Sequence, residues 1–163
     1  MKRFVPRFLA LLLTFILVCV GACADIVYAL CKPGDIVHVR EFPTSKASQA
    51  GFLDCGDPVE TDWEIKKDNH GGEWLRVYGF EGDAWVSAKY LSPSPVTVPT
   101  EECHAYVCSI GRVAVRRAPN GKRTKWAYNG DEFRVLAMTD EWILTTRGYI
   151  KSEFVEVYYG RVE

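Results

Sequence analysis

The sequence predicts an all-β protein built as two copies of one small module. Three observations carry this. Apolar residues alternate with polar ones over short runs, as at Val37-His38-Val39-Arg40 and Trp74-Leu75-Arg76-Val77-Tyr78. Gly-Asp turn signals follow such runs at Gly56-Asp57 and Gly130-Asp131. No segment shows a long 3.6-residue apolar period bounded by helix caps.

The chain has 163 residues. It opens with Lys2, Arg3 and Arg7, an apolar run from Phe8 to Val20, and small residues at Ala22-Cys23-Ala24. A charged start, a short apolar stretch and small residues at the end have the form of a secretory signal, expected over residues 1–24. The run is short for a membrane span, which takes ~20 residues. Ala22-x-Ala24 suits cleavage before Asp25. Val20-Gly21-Ala22-Cys23 also resembles a lipobox, in which Cys23 would carry lipid. Because Ile26-Val27-Tyr28 reads at once as folding material, with no polar tether, simple secretion is the expectation. Without residues 1–24, seventeen bases stand against twenty-one acids, a net charge of −4. Residues 25–99 hold seven of those bases and twelve of the acids, so the first half is the acidic one.

The duplication is read from matches that keep their order while their offset shrinks. Val37 to Pro43 aligns with Val113 to Pro119, and Cys55-Gly56-Asp57 with Asn129-Gly130-Asp131. Glu73-Trp74-Leu75 aligns with Glu141-Trp142-Ile143. Trp85-Val86 and Tyr90-Leu91 align with Tyr149-Ile150 and Phe154-Val155. A second copy with shorter loops produces this pattern. The longest deletion falls near residues 66–72, expected to be a loop tip. Between the copies, Pro93, Pro95 and Pro99 stiffen a short linker. The expected organisation is a first module at 25–92, a linker at 93–102, a second module at 103–158 and a tail at 159–163.

Val-x-Val-Arg-x-x-Pro, then Gly-Asp, then Glu-Trp-aliphatic, then an aromatic followed by Val or Ile and a closing aromatic-aliphatic pair, resembles the bacterial SH3-like (SH3b) domain. The likeness occurs twice and spans nearly all of residues 30–157. The sequence departs from the family at His38 and Ala114, where Asn is usual, and at Ala84, where Gly is usual. The resemblance implies two small SH3-like β-barrels in tandem, acting as binding modules outside the cytoplasm. Trp85 and Tyr149 are then expected to close the cores.

Export gives meaning to the cysteines that remain, Cys31, Cys55, Cys103 and Cys108. An even number in an oxidising compartment suggests two disulfides, with three connectivities open. Local pairing, Cys31–Cys55 and Cys103–Cys108, is the expectation; Cys31 with Cys103 or Cys108 is the rival. The pair Cys103–Cys108 needs a bend, since five extended residues span ~17 Å and a disulfide needs Cα atoms within ~7 Å.

Catalysis has weak support. Cys103-His104 is adjacent, but neighbours on a strand face opposite sides. Glu60, Asp62 and Glu64 alternate along a strand as a solvated face would. No C-x-x-C pair or phosphate-binding glycine loop is present, and no metal or cofactor is expected. The sharpest feature is basic. Arg112, Arg116, Arg117, Lys122, Arg123 and Lys125 occur with no acid among residues 103–130, followed by Trp126 and Tyr128. Arg116, Arg117, Lys122, Arg123, Trp126 and Tyr128 are the candidate ligand residues. Guanidinium groups pair with phosphate or carboxylate, and an aromatic ring can stack on a sugar. The expected partner is cell-wall glycan or peptide, or an associated anionic polymer. A protein partner at the cell surface is the alternative, and nucleic acid is not expected.

Overall fold

The computed structural model describes residues 24–160. The expected signal segment, with Cys23, lies outside the described residues save for Ala24, as does most of the expected tail. The first module contains β1 (Asp25–Ala29), β2 (Ile36–Arg40), β3 (Gln49–Asp54), β4 (Pro58–Lys67), β5 (Glu73–Val77), β6 (Ala84–Ser87) and β7 (Leu91–Ser92). The second contains β8 (Cys103–Val107), β9 (Val113–Arg116), β10 (Arg123–Ala127), β11 (Glu132–Met138), β12 (Trp142–Thr145), β13 (Gly148–Lys151) and β14 (Val155–Tyr159). One 3₁₀ turn precedes β7, and another precedes β14. Among the described residues no helix is long and apolar enough to cross a membrane.

Each module is one seven-stranded antiparallel sheet. The orders are β3-β2-β6-β5-β4-β1-β7 and β10-β9-β13-β12-β11-β8-β14, the same topology twice. The expected barrels are corrected here: the terminal strands of each sheet do not pair, so neither sheet closes. Burial nonetheless gathers one core in the first module. Val27, Val37, Val39, Leu53, Leu75 and Val86, from five strands of the sheet, meet in a single cluster. Alternation explains it, since Val37 and Val39 are buried while Ile36 and His38 are exposed.

The repeated motifs have repeated jobs. The N–H of Gly56 donates to the carbonyl of Ala29 at 2.8 Å, and that of Gly130 to Val107 at 3.0 Å. The carboxylates of Asp57 and Asp131 accept from Asp54 and Tyr128, each at 2.8 Å. The two glycines have φ of +96° and +92°, a region where a side chain is strained. The carbonyls of Tyr90 and Phe154 accept from Leu30 and Cys108, which fixes Leu30 and Cys108 as equivalent positions.

One expectation about β4 is refined. Glu60 and Asp62 point away from the core, but Asp62 and Glu64 are not merely solvated: the β4–β5 register shifts between Thr61 and Ile65, and Trp63 adopts φ +61°. The bulge turns Asp62 and Glu64 together onto Arg76. Arg76 holds the Asp62 carboxyl far below its ordinary range.

The modules pack on each other. Leu30 of the first is fully buried in a cluster with Ala137, Trp142, Leu144 and Tyr149 of the second, and Cys55 and Val96 pack against it. Burying a leucine contributes roughly 1.5–3 kcal/mol. The linker takes part: Thr97 and Met138 exchange two main-chain hydrogen bonds of 2.8 and 2.9 Å.

The corresponding face of the first module is covered differently. Tyr149 lies opposite Leu144 in register, and Trp85 lies opposite Arg76. Where the second module has apolar Leu144, the first has Arg76, tied to Asp62 and Glu64. The longer β4–β5 hairpin then folds over the aromatics. Lys66 Nζ stands 4.5 Å above the Trp85 ring, and Asp68 accepts from the Trp74 indole at 3.1 Å. Trp85 and Tyr149 are both buried, at 2% and 7% exposure, but they do not close the module cores as expected: Val86 and Ile150 take those places, and Tyr149 lies at the junction of the modules.

Candidate binding surface

The arginine of each Val-x-Val-Arg motif clasps the loop that follows it. Arg40 Nη1 donates to the carbonyl of Ala47 at 3.1 Å, and Arg116 Nη1 to that of Gly121 at 2.8 Å. The main chain closes the same loops, with Glu41 donating to Ser48 and Arg117 to Lys122. Arg116 therefore shapes the loop that presents Arg117 and Lys122, both exposed. A ligand role for Arg116 is at most shared with this structural one.

Trp126 is half-buried, and two guanidinium groups lie over its ring: Arg112 at 4.1 Å and Arg123 at 4.2 Å from the centroid. Both distances are within the cation–π range. The ring presents charge rather than an open platform for a sugar. Tyr128 is exposed, beyond the end of β10 at the Asp131 turn, and its neighbours there are Asn129 and Gly130 rather than the arginines.

Two concavities flank the first module's Cys31, Asp35 and Tyr90. One, of about 480 Å³, belongs to that module and is lined by His38, Arg40, Ser45, Trp74 and Lys89 among others. The other, of about 380 Å³, lies between the modules and brings Arg116, Arg117, Lys125 and Arg147 opposite Lys32 and Tyr90. Arg147 and Lys32 were not singled out from the sequence. Arg147 sits in the β12–β13 turn and Lys32 in the turn after β1, far from the basic run, and only tertiary packing brings them to it.

All four described cysteines are thiols. The pairing Cys103–Cys108 is corrected: β8 runs extended through residues 103–107 without the bend a bridge requires. Cys103 points into the core beside Ala105 and Val135, while Cys108 is exposed. The rival pairing of Cys31 with Cys103 meets a different obstacle, since Cys103 is enclosed within the second module. Cys31 and Cys55 do adjoin, the Cys55 thiol donating to the Cys31 carbonyl at 2.8 Å. Burial, and then Cys55, push the Cys31 thiol up to about 12.

His104 faces outward from Cys103. Its Nδ1 is 2.7 Å from Glu132 and its Nε2 3.4 Å from Glu102, and its ring stacks on Tyr158. Among the described residues no group of three His, Cys, Asp or Glu is placed to hold a metal ion.

Comparison with known proteins agrees with the first module. No curated protein matches the chain. Among solved structures, NlpC2 from Trichomonas vaginalis is similar at 14% identity and a TM-score of 0.29, over 87% of this chain and 51% of that one. The chain thus spans about half the length of that protein. Residues 36–92 match the family model described as the bacterial SH3 domain. The matched segment runs from β2 through β7 of the first module.

Proposed function

We propose that this protein is a non-catalytic binding protein of the cell envelope, exported by its N-terminal segment, that recognises peptidoglycan or an associated anionic wall polymer. The observation that carries this reading is the basic surface beside the bacterial SH3 domain. Arg112, Arg117, Lys122, Arg123 and Lys125 make no ion pair with a described carboxylate, although the same chain pairs Arg76 twice. Modules of this kind are often joined to wall enzymes or wall-targeting proteins, which supports an extracytoplasmic setting.

Sedimentation with purified sacculi, with and without their anionic polymers, tests the reading. Binding to sacculi that weakens when the polymers are stripped supports it, and failure to sediment with either preparation ends it. N-terminal sequencing of the exported chain should begin at Asp25; a lipid mass on Cys23 would instead make it an anchored lipoprotein. A second reading, an adaptor for a surface protein, is favoured by Ile110, which is fully exposed beside Cys108 at the outer end of the second module.

A further inference from the structure

We propose that the cleft between the modules is a composite site for the phosphate groups of an extended polyanion, and that it exists only while the modules are docked. This rests on the anionic-polymer reading above and locates its site.

The charge in the cleft is one-sided. Arg116, Arg117, Lys125 and Arg147 come from the second module and Lys32 from the first, against one carboxylate, Asp35. None of the five cations is in an ion pair with a described acid. Like charges collected in a concavity with apolar walls, here Leu144 and Tyr149, repel one another and focus a positive potential into it. A single peptide carboxylate offsets one charge. A chain of phosphodiesters offsets several at once, and guanidinium groups bind phosphate with two parallel hydrogen bonds.

The dependence on docking follows from Lys32. It lies two residues after Leu30, whose side chain is buried among Trp142, Leu144 and Tyr149 and whose carbonyl accepts the Tyr149 hydroxyl at 3.3 Å. That contact sets Lys32 across from Arg117 and Arg147. Undocking would leave every cation on the chain and remove the cleft.

The test uses the full exported chain, with a short synthetic poly(glycerol phosphate), inorganic phosphate and a peptide with one free carboxylate as probes, followed by calorimetry and amide NMR. The oligomer is expected to bind with shifts at Lys32, Arg117 and Arg147, inorganic phosphate weakly at the same residues, and the peptide not at all. Lys32→Glu and Arg147→Glu should each weaken oligomer binding roughly tenfold or more. Lys46→Glu, the same charge change on an exposed residue that does not line the cleft, should leave it within about twofold. Leu30→Ala should weaken it while retaining all five cations, and the milder Lys32→Gln serves if a reversal disturbs the fold. Equal affinity in the cleft variants and Lys46→Glu, absence of oligomer binding, or tighter binding of the peptide would each overturn the proposal. Sacculus binding that survives the cleft variants would sink this site and leave the wall-binding reading standing. Oligomer binding in the cleft without sacculus binding would do the reverse.

Discussion

The hydroxyl of Tyr149 donates to the main-chain carbonyl of Leu30 across the module boundary, at 3.3 Å. Burial, with Cys31 and Cys55 nearby, holds that phenol well above its ordinary range, so it remains a donor. Leu30→Ala is expected to cost about 2–5 kcal/mol, as other truncated core leucines do. Tyr149→Phe should cost about 1–3 kcal/mol by leaving a buried carbonyl unpaired. Denaturant unfolding followed by tryptophan fluorescence reads both, with Trp142 reporting the loss of cover. A Leu30→Ala protein as stable as the parent would show that the modules are not docked.

Arg116 and Arg117 are neighbours with different expected phenotypes. Arg116→Ala removes the clasp on Gly121 and should cost about 0.5–1.5 kcal/mol. Hydrogen exchange at the Arg117 amide, bonded to Lys122, should accelerate. Arg117→Ala changes an exposed side chain and should stay within about 0.5 kcal/mol. If exchange in the loop is unaltered in Arg116→Ala, the clasp carries no weight.

The long hairpin of the first module should be acid-sensitive. Asp68 accepts from the amides of His70 and Gly72, each at 2.8 Å, and from the Trp74 indole. The indole bond first, then the two amides, hold its carboxyl below the usual range. A depressed folded value means the stabilisation is fully present above the unfolded value of about 3.9 and is lost as pH falls toward the folded one. Protection at Gly72, taken relative to its intrinsic exchange at each pH, should therefore fall on acidification below about pH 4, and Asp68→Asn should remove that dependence. A pH-independent parent would contradict the assignment.

The thiols should separate by reactivity. Mild oxidation is expected to join Cys31 to Cys55, which already adjoin. Cys108, exposed, should take maleimide in the folded protein, and Cys103, 1% exposed, only after unfolding. Non-reducing peptide mapping decides this, and a Cys103–Cys108 peptide recovered from folded protein would refute the strand geometry.

The two-copy sheet was legible because strand alternation and Gly-Asp turns are local. Val37 and Asp57 do in the first module what Val113 and Asp131 do in the second, and Trp85 and Tyr149 hold the same register beside Arg40 and Arg116. The basic loop was legible as charge, but the clasp of Arg116 was not, since it depends on how the loop closes. Nothing local in the sequence singles out Leu30. Its burial arises from a partner surface more than a hundred positions away, and the same distance hid Lys32 and Arg147. Whether a sheet's edges meet depends on the curvature of all its strands, which no single stretch encodes.

The hairpin folded over Trp74 and Trp85 bears on assembly. The β1–β2 connection of one module on the face of the next is a heterologous contact, and such contacts, repeated between identical chains, generate rings where the rotation closes and open filaments where it does not. Every chain carries an exposed β8–β9 connection at Cys108 and Ile110, equivalent to the region around Leu30. No face waits for it, because Arg76, Lys66 and Asp68 have replaced or covered the apolar surface that growth would need. The longer loop acts as a chain terminator: it lets the docking happen once, within a molecule, and stops it from propagating between molecules.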